Sequence, residues 1–453
     1  MSGDKAKKLH PFLVNRFTII YVLVLSILFF ASCSSLQKNY LGKAERQFIN
    51  IKIDNKQLAQ LDSARSITDH KADSLVRSFE AKGHTRHLNA YEVNALFSGF
   101  ADQLDCDRAY NSILQKSKKV KGQLSPMQRY AAAKLLRSAY TYDSLYQHQR
   151  KVRRTLNRGD AANNIPRNII QKSRDFLYSS SVRKKLLNHS GKQDAADSLL
   201  MRLPATNFFK ETYYSLYRHN DCIINSLYGT FSFAGATLFG KKSGPVRLRA
   251  KQKKDAAKLQ AQLQPFDILL SRNTNHVTAK IIPGYFGHAA IWLGATAAHK
   301  RKRLKDIFRK NKDKVNSINE QGIAEALRSG VQISSLKDFA DGDVFLIIRP
   351  CFLTDEQKKN ISSNALKQLH KAYDFNFDIE SPDMINCTEL IYLAYDFVHW
   401  KVSAFMGRYT IFPDDLLETS IGNEQFEIVA LLKDGKLIEH PDSNAIRTIM
   451  LGK

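Results

Sequence analysis

The stretch PDMINCTELIYLAYDF, Pro382 to Phe397, sets a cysteine at the first turn of an apolar helix. Asn386 offers a side-chain oxygen to the unpaired N–H groups of a helix start. Glu389 reaches back to the Asn386 backbone, so the pair has the spacing of a capping box with Asn in place of Ser or Thr. Leu390, Leu393, Ala394 and Phe397 recur at helical spacing and mark a buried face. Cys387 falls at the first helical position, where unpaired N–H groups and the helix dipole favour an anion. Its thiol is therefore expected to ionise more easily than a free cysteine, and a thiolate attacks carbonyl carbon. A buried structural cysteine is the alternative.

A thiolate nucleophile needs a base within hydrogen-bond reach, and the base needs an orienting group. His288, in IPGYFGHAAIWLG, stands at the mouth of a strand just after a Gly- and Pro-bearing turn, where an imidazole can point into a cleft. Glu325, in GIAEALRSGVQI, is an acid among small and apolar residues ahead of another strand, and is the candidate orienter. A satisfied core or edge histidine and a solvated helix-face glutamate are the plainer readings of these two residues.

The elements that must position these residues lie beyond residue 260. FDILLSR, HAAIWLG, GVQISSL and DVFLIIRP are short apolar runs bounded by Gly, Asp, Asn or Pro and read as strands. A helical segment near DEQKKNISSNALKQLHKAY follows, then the Cys387 helix. Strands followed by helices predict an α+β domain with an antiparallel sheet. Residues 40 to 220 instead carry helical patterns. Thr68 is expected to cap one helix, Asn89 and Glu92 form a capping box for a second, and Ser125, Pro126 and Gln128 start a third. The expected organisation is a signal segment over 1–33, a helical domain over 34–240, a basic linker over 241–258 and the α+β domain over 259–453.

The chain has 453 residues, 43% of them hydrophobic, and a formal charge of +26. That length holds two or three domains, and the charge favours an acidic partner. At the N-terminus Lys5, Lys7, Lys8 and Arg16 precede the uncharged run Phe17 to Phe30, the small pair Ala31 and Ser32, and Cys33. Basic, apolar and small zones in that order are those of a secretory signal. The small pair before cysteine resembles a bacterial lipoprotein signal, which implies that Cys33 is lipidated; Phe30 stands where that pattern usually has Leu. An uncleaved N-terminal anchor is the alternative. Either way the body is expected in the cell envelope, tethered to a membrane and facing the periplasm or exterior, and nucleic acid is not an expected partner. Of the five cysteines, Cys106, Cys222 and Cys351 allow one disulfide at most once Cys33 and Cys387 are set aside. The uncharged Ile223 to Gly240 is expected as a buried packing segment, a lipid-touching loop being the alternative.

FDILLSR, IPGYFGHAAIWLG, AEALRSGVQISSL, YDFNFDIESPDMINCTELIYLAY and IFPDDLLE, in this order, resemble the permuted papain-like cysteine hydrolases of the YaeF/YiiX group, relatives of the NlpC-type cell-wall peptidases. The resemblance spans roughly residues 263 to 420. It implies a circularly permuted papain-like domain with an antiparallel sheet and a nucleophile-bearing helix. It further implies that Cys387 is the nucleophile, His288 the base and Glu325 the acidic third member. A Ser often stands in the family where this chain has Thr388. Asp267 matches the acid of a GDI-like opening, with Phe266 in place of Gly. The run Ala295 to Gln321 is longer and more basic than the family's connection, and His299 within it is an alternative orienter. The expected function is a membrane-anchored cysteine hydrolase of amide bonds, in cell-wall peptides or acylated amino compounds. It calls for no cofactor or metal. Anionic lipid or polymer is the expected partner of the basic segment 300–314. A non-catalytic binding or scaffolding lipoprotein and a thiol acyltransferase acting on lipids are the alternatives.

Overall fold

The structure, a computed structural model, describes residues 40–41, 55–82, 87–116, 124–147, 149–179, 195–201, 203, 250–273, 283–294, 322–340, 342–381, 383–405 and 408–451. The run Phe17–Phe30, Cys33, Cys222, the stretch Ile223–Gly240, His299 and the basic segment 300–314 lie outside these residues. Among the described residues no helix is long and apolar enough to cross a membrane.

The first half is helical: α1 (Asn55–Ala81), α2 (Ala90–Lys116), α3 (Pro126–Tyr146), α4 (Arg150–Arg158), α5 (Ile169–Leu177) and α6 (Ala195–Met201). The box ahead of α2 closes as expected, Asn89 N–H donating to Glu92 at 2.9 Å and Glu92 N–H to Asn89 Oδ1 at 2.9 Å. Ser125 and Gln128 do the same before α3, at 3.0 and 3.3 Å. Thr68 is not a cap. It lies inside α1, where its hydroxyl donates to the Arg65 carbonyl at 2.8 Å. A threonine satisfied by its own preceding turn is tolerated inside a helix, and the residues upstream simply continue it.

The chain divides into two compact units, one of Met1–Gln57, Asp107–Asp143 and Ile169–Thr206, the other of Leu58–Cys106, Ser144–Asn168 and Asn207–Lys453. In the first unit, Ala132, Leu136, Ala139 and Leu177 form a buried cluster lined by Leu124 and Phe176. The second unit holds α4, α7 (Ala250–Gln262) and every strand. The basic stretch read as a linker is therefore helical from Ala250 onward.

The strands are β1 (Asp267–Arg272), β2 (His288–Trp292), β3 (Ile323–Leu327), β4 (Gly330–Ser334), β5 (Val344–Pro350), β6 (Ser403–Phe405), β7 (Arg408–Thr410), β8 (Phe426–Lys433) and β9 (Lys436–Glu439). Seven form one sheet in the order β4-β3-β2-β1-β5-β8-β9, antiparallel at every junction, and β6 and β7 pair separately. Interleaved are the helices α8 (Leu336–Phe339), α9 (Asp355–Lys367), α10 (Cys387–Ala394), α11 (Pro413–Ser420) and α12 (Ser443–Leu451). Leu269, Ala290, Ile323, Phe345, Ile347, Ala430 and Leu432 build a core cluster with Leu259 of α7 and Leu336 and Phe339 of α8. This is the expected α+β arrangement, helices first and antiparallel sheet after. Helix α10 packs against β2 and β3 and is buried over all eight of its residues, so it has no solvent face at all. Phe397 lies past its end and is half-buried.

Candidate active site

Helix α10 begins as its caps predict. The Asn386 side chain accepts the N–H groups of Thr388 and Glu389, both at 3.0 Å. Glu389 accepts the Asn386 N–H at 3.0 Å and its side-chain amide at 2.8 Å. The Thr388 hydroxyl donates to the Ile411 carbonyl at 2.6 Å, tying the helix start to the chain ahead of α11. These bonds consume the nearby helix-end donors, and Leu390 N–H returns to the Asn386 carbonyl at 3.2 Å. Among the described residues the Cys387 N–H has no such partner and remains to bind an anion at the sulfur.

His288 opens β2, and Glu325 occupies the middle of β3, which is a strand in its own right. Register brings the two together. Glu325 stands opposite Ala290, and side chains alternate along a strand, so Glu325 shares a face with His288, two residues before Ala290. The outcome is a contact of 2.7 Å between His288 Nε2 and Glu325 Oε2. The imidazole is 23% exposed and the carboxylate 3%. Cys387 is the neighbour that most raises this histidine, ahead of Glu325. Burial pulls the imidazole down, but hydrogen bonds and charge from Cys387 and Glu325 outweigh it and raise His288 to about 10. The imidazolium is thus the form held at neutral pH. The three residues expected to act together are brought together.

The loop before His288 is fixed from α11. Asp414 accepts the N–H groups of Tyr285 at 2.6 Å and Phe286 at 2.9 Å. Gly284 has φ +114°, and a Cβ there would come within 2.5 Å of the Asp414 carboxylate, so both conformation and space require glycine.

Tyr373 and Asp374 went unassigned in the sequence. Burial and the neighbouring negative charges, Cys387 first, raise the Tyr373 hydroxyl well above the usual tyrosine range. Asp374 accepts N–H groups of Asn376 at 2.8 Å and Asp378 at 2.9 Å, and burial raises its carboxyl. Burial also lifts Glu389, which the charge of Asp374 pushes further. An Asp whose two oxygens take the amides two and four residues on is a local turn pattern, and Asp374-Phe375-Asn376 was the available signal for it.

Asp267 is not brought to the site. It pairs with Trp292 in register while Ser271 pairs with His288, so it sits at the other end of the β1–β2 ladder. Its carboxylate binds Arg349 at 2.9 and 2.8 Å and the Gln264 N–H at 2.7 Å. Phe266, in the place of the usual glycine, keeps the glycine-like backbone with φ +77°. Among the described residues no three His, Cys, Asp or Glu side chains are grouped to hold a metal ion. Cys351 is a free thiol.

Residues 262–437 match the family described as permuted papain-like amidase enzyme, YaeF/YiiX, C92 family. The matched segment contains Cys387, His288, Glu325 and the whole seven-stranded sheet but for the last residues of β9; α1 to α6 lie outside it. A domain of this kind implies cysteine-dependent hydrolysis of amides. No curated protein and no solved structure matches the chain.

Proposed function

We propose that the chain is a membrane-anchored cysteine hydrolase that cleaves amide bonds in cell-wall peptides or acylated amino compounds, with Cys387, His288 and Glu325 as its catalytic residues. The observation that carries this reading is an imidazole held by a buried carboxylate at 2.7 Å from Nε2 and raised by the neighbouring thiol at the start of α10. With Nε2 committed to Glu325, Nδ1 is the nitrogen left to exchange a proton with the thiol.

The Cys387 thiolate attacks the carbonyl carbon and a C–S bond forms. The oxyanion is met by the Cys387 N–H and the Tyr373 hydroxyl. The His288 imidazolium gives its proton to the nitrogen as the C–N bond breaks and the amine leaves. Water then loses a proton to His288 and attacks the thioester, the C–S bond breaks, and the carboxylic acid departs with the thiolate–imidazolium pair restored. Glu325 holds the ring orientation and stabilises its charge throughout.

The order of basic, apolar and small residues before Cys33 supports lipid attachment there, and the charge of segment 300–314 supports contact with anionic lipid or polymer, each Lys or Arg adding about 1 kcal/mol near such a surface. Incubation with cell-wall peptides and N-acylated amino acids, followed by mass spectrometry, tests the activity. Cleavage is expected from the wild type and none from Cys387→Ala or His288→Ala, and cleavage by either folded variant sinks the mechanism. Lipid on Cys33 is expected as a mass increase after detergent extraction that Cys33→Ala lacks; an unmodified wild type contradicts it.

A further inference from the structure

The segment 370–386 carries Tyr373 and runs into Cys387, yet among its described residues there is no helix and no bridge but the isolated one between Ala372 and Met384. Its shape must therefore be imposed by what touches it. On one side it is held by the sheet edge and by the nucleophile's own approach. Val331 N–H of β4 donates to the Lys371 carbonyl at 2.9 Å, and Ile385 N–H donates to the Ala372 carbonyl at 3.0 Å. Gly330, at φ +108°, makes that approach possible, since a Cβ would meet the Lys371 oxygen at 2.5 Å.

On the other side the hold comes from a part of the chain outside the family match. Arg158 ends α4, and its guanidinium donates to the Glu380 carbonyl at 2.5 Å, to the Ser381 hydroxyl, and to Asp378 Oδ2 at 3.2 Å. Asp378 is the residue whose N–H holds Asp374, next to Tyr373. Asp160, two residues on, pairs with Lys371 at 2.5 Å, both side chains being 3% exposed or less. The turn that presents these groups is itself rigid. Asp160 and Ile165 exchange both backbone bonds at 2.8 Å, and Gly159 at φ +77° lies so close to Ile165 and Arg167 that a Cβ would meet backbone atoms at 2.8 Å. A planar guanidinium with three acceptors fixes direction as well as distance, which a point charge does not.

We propose that the α4 turn is part of the catalytic unit and that Arg158 is a positioning residue: it holds the 373–381 segment so that the Tyr373 hydroxyl and the approach to Cys387 stay aligned with His288. This rests on the amide-hydrolase reading above. It gives the helical half of the chain, which lies outside the matched segment, a defined part in the chemistry.

The test is the rate of Cys387 alkylation by iodoacetamide as a function of pH, read by mass spectrometry on the full-length chain in detergent, with circular dichroism for folding. Arg158→Gln is expected to react about 10- to 100-fold more slowly at neutral pH and to lose the wild-type pH profile, the scale of a small misplacement remote from the chemistry. Arg158→Lys, which keeps the charge but not the fork, is expected between the two. A purely structural arginine would lower the melting temperature and leave rate and profile unchanged, and folded Arg158→Gln with the wild-type profile overturns the proposal. Should Arg158→Gln not fold, Ser381→Ala removes one of its acceptors and is expected to slow the reaction several-fold; a wild-type profile there overturns it equally. A wild-type Cys387 whose reactivity is indifferent to His288→Ala ends both the hydrolase reading and this one, whereas a His288-dependent thiol that ignores Arg158 and Ser381 ends only this one.

Discussion

The sheet carries two carboxylate–cation pairs at opposite ends of the β1–β2 ladder, and they are built differently. Asp267, with no exposed side-chain surface, gives both oxygens to Arg349 and one also to a backbone amide. Nothing in that pair is left to react. Glu325 is almost as deeply buried, but its partner is an imidazole that the Cys387 thiol also raises and whose ring is 23% exposed. The first pair closes on itself and secures the turn into β1. The second leaves one proton site open toward the solvent side. Burial and charge pairing alone therefore do not mark a functional acid; an unspent partner does.

Replacing residues in each pair should separate chemistry from stability. The largest effect on activity is expected from His288→Ala, a loss on the order of 1,000-fold or more in amide cleavage with the fold retained, since base and acid are removed together. The largest effect on stability is expected from Asp267→Ala. It leaves the Arg349 guanidinium without its buried partner and should cost about 3 kcal/mol in urea unfolding, with activity per folded molecule unchanged. Equal losses of activity in the two variants would erase the distinction.

Glu325→Gln should act more mildly, lowering cleavage by about 100-fold or less. Because Glu325 raises the His288 pKa, its neutral replacement should move the alkaline limb of the pH–rate profile to lower pH. An unmoved limb would assign the orienting role elsewhere.

The smallest effect lies in stability against pH. His288 is raised from 6.5 to about 10 on folding, so it binds its proton more tightly in the folded chain. Its contribution is complete below about pH 6.5 and is lost as pH rises toward 10, since above both values neither state holds the proton. The stability difference between wild type and His288→Ala should shrink across that window; a difference that grows with pH contradicts the pairing.

What was legible follows the reach of each interaction. The start of α10 was readable because Asn386, Cys387 and Glu389 satisfy one another within three residues. His288 was marked by a turn followed by an apolar strand. Glu325 was recognised by type, but its strand was not, because IAEAL is made largely of helix-favouring residues and becomes β3 only through pairing with β2 and β4. The β8–β9 hairpin carries a local signal as well, since Asp434 and Gly435, at φ 50° and 77°, form the turn such a hairpin prefers. Arg158 had no local signal. Its partner Asp378 lies 220 residues away, and no spacing rule spans that distance.

The most direct measurement of the central claim is the pH dependence of Cys387 alkylation in the wild type beside His288→Ala. A thiol that reacts well below the ordinary cysteine range, and loses that advantage when the imidazole is removed, is the predicted result. Matching profiles in the two proteins, both those of an ordinary or buried thiol, would contradict the Cys387–His288 pair and with it the hydrolase.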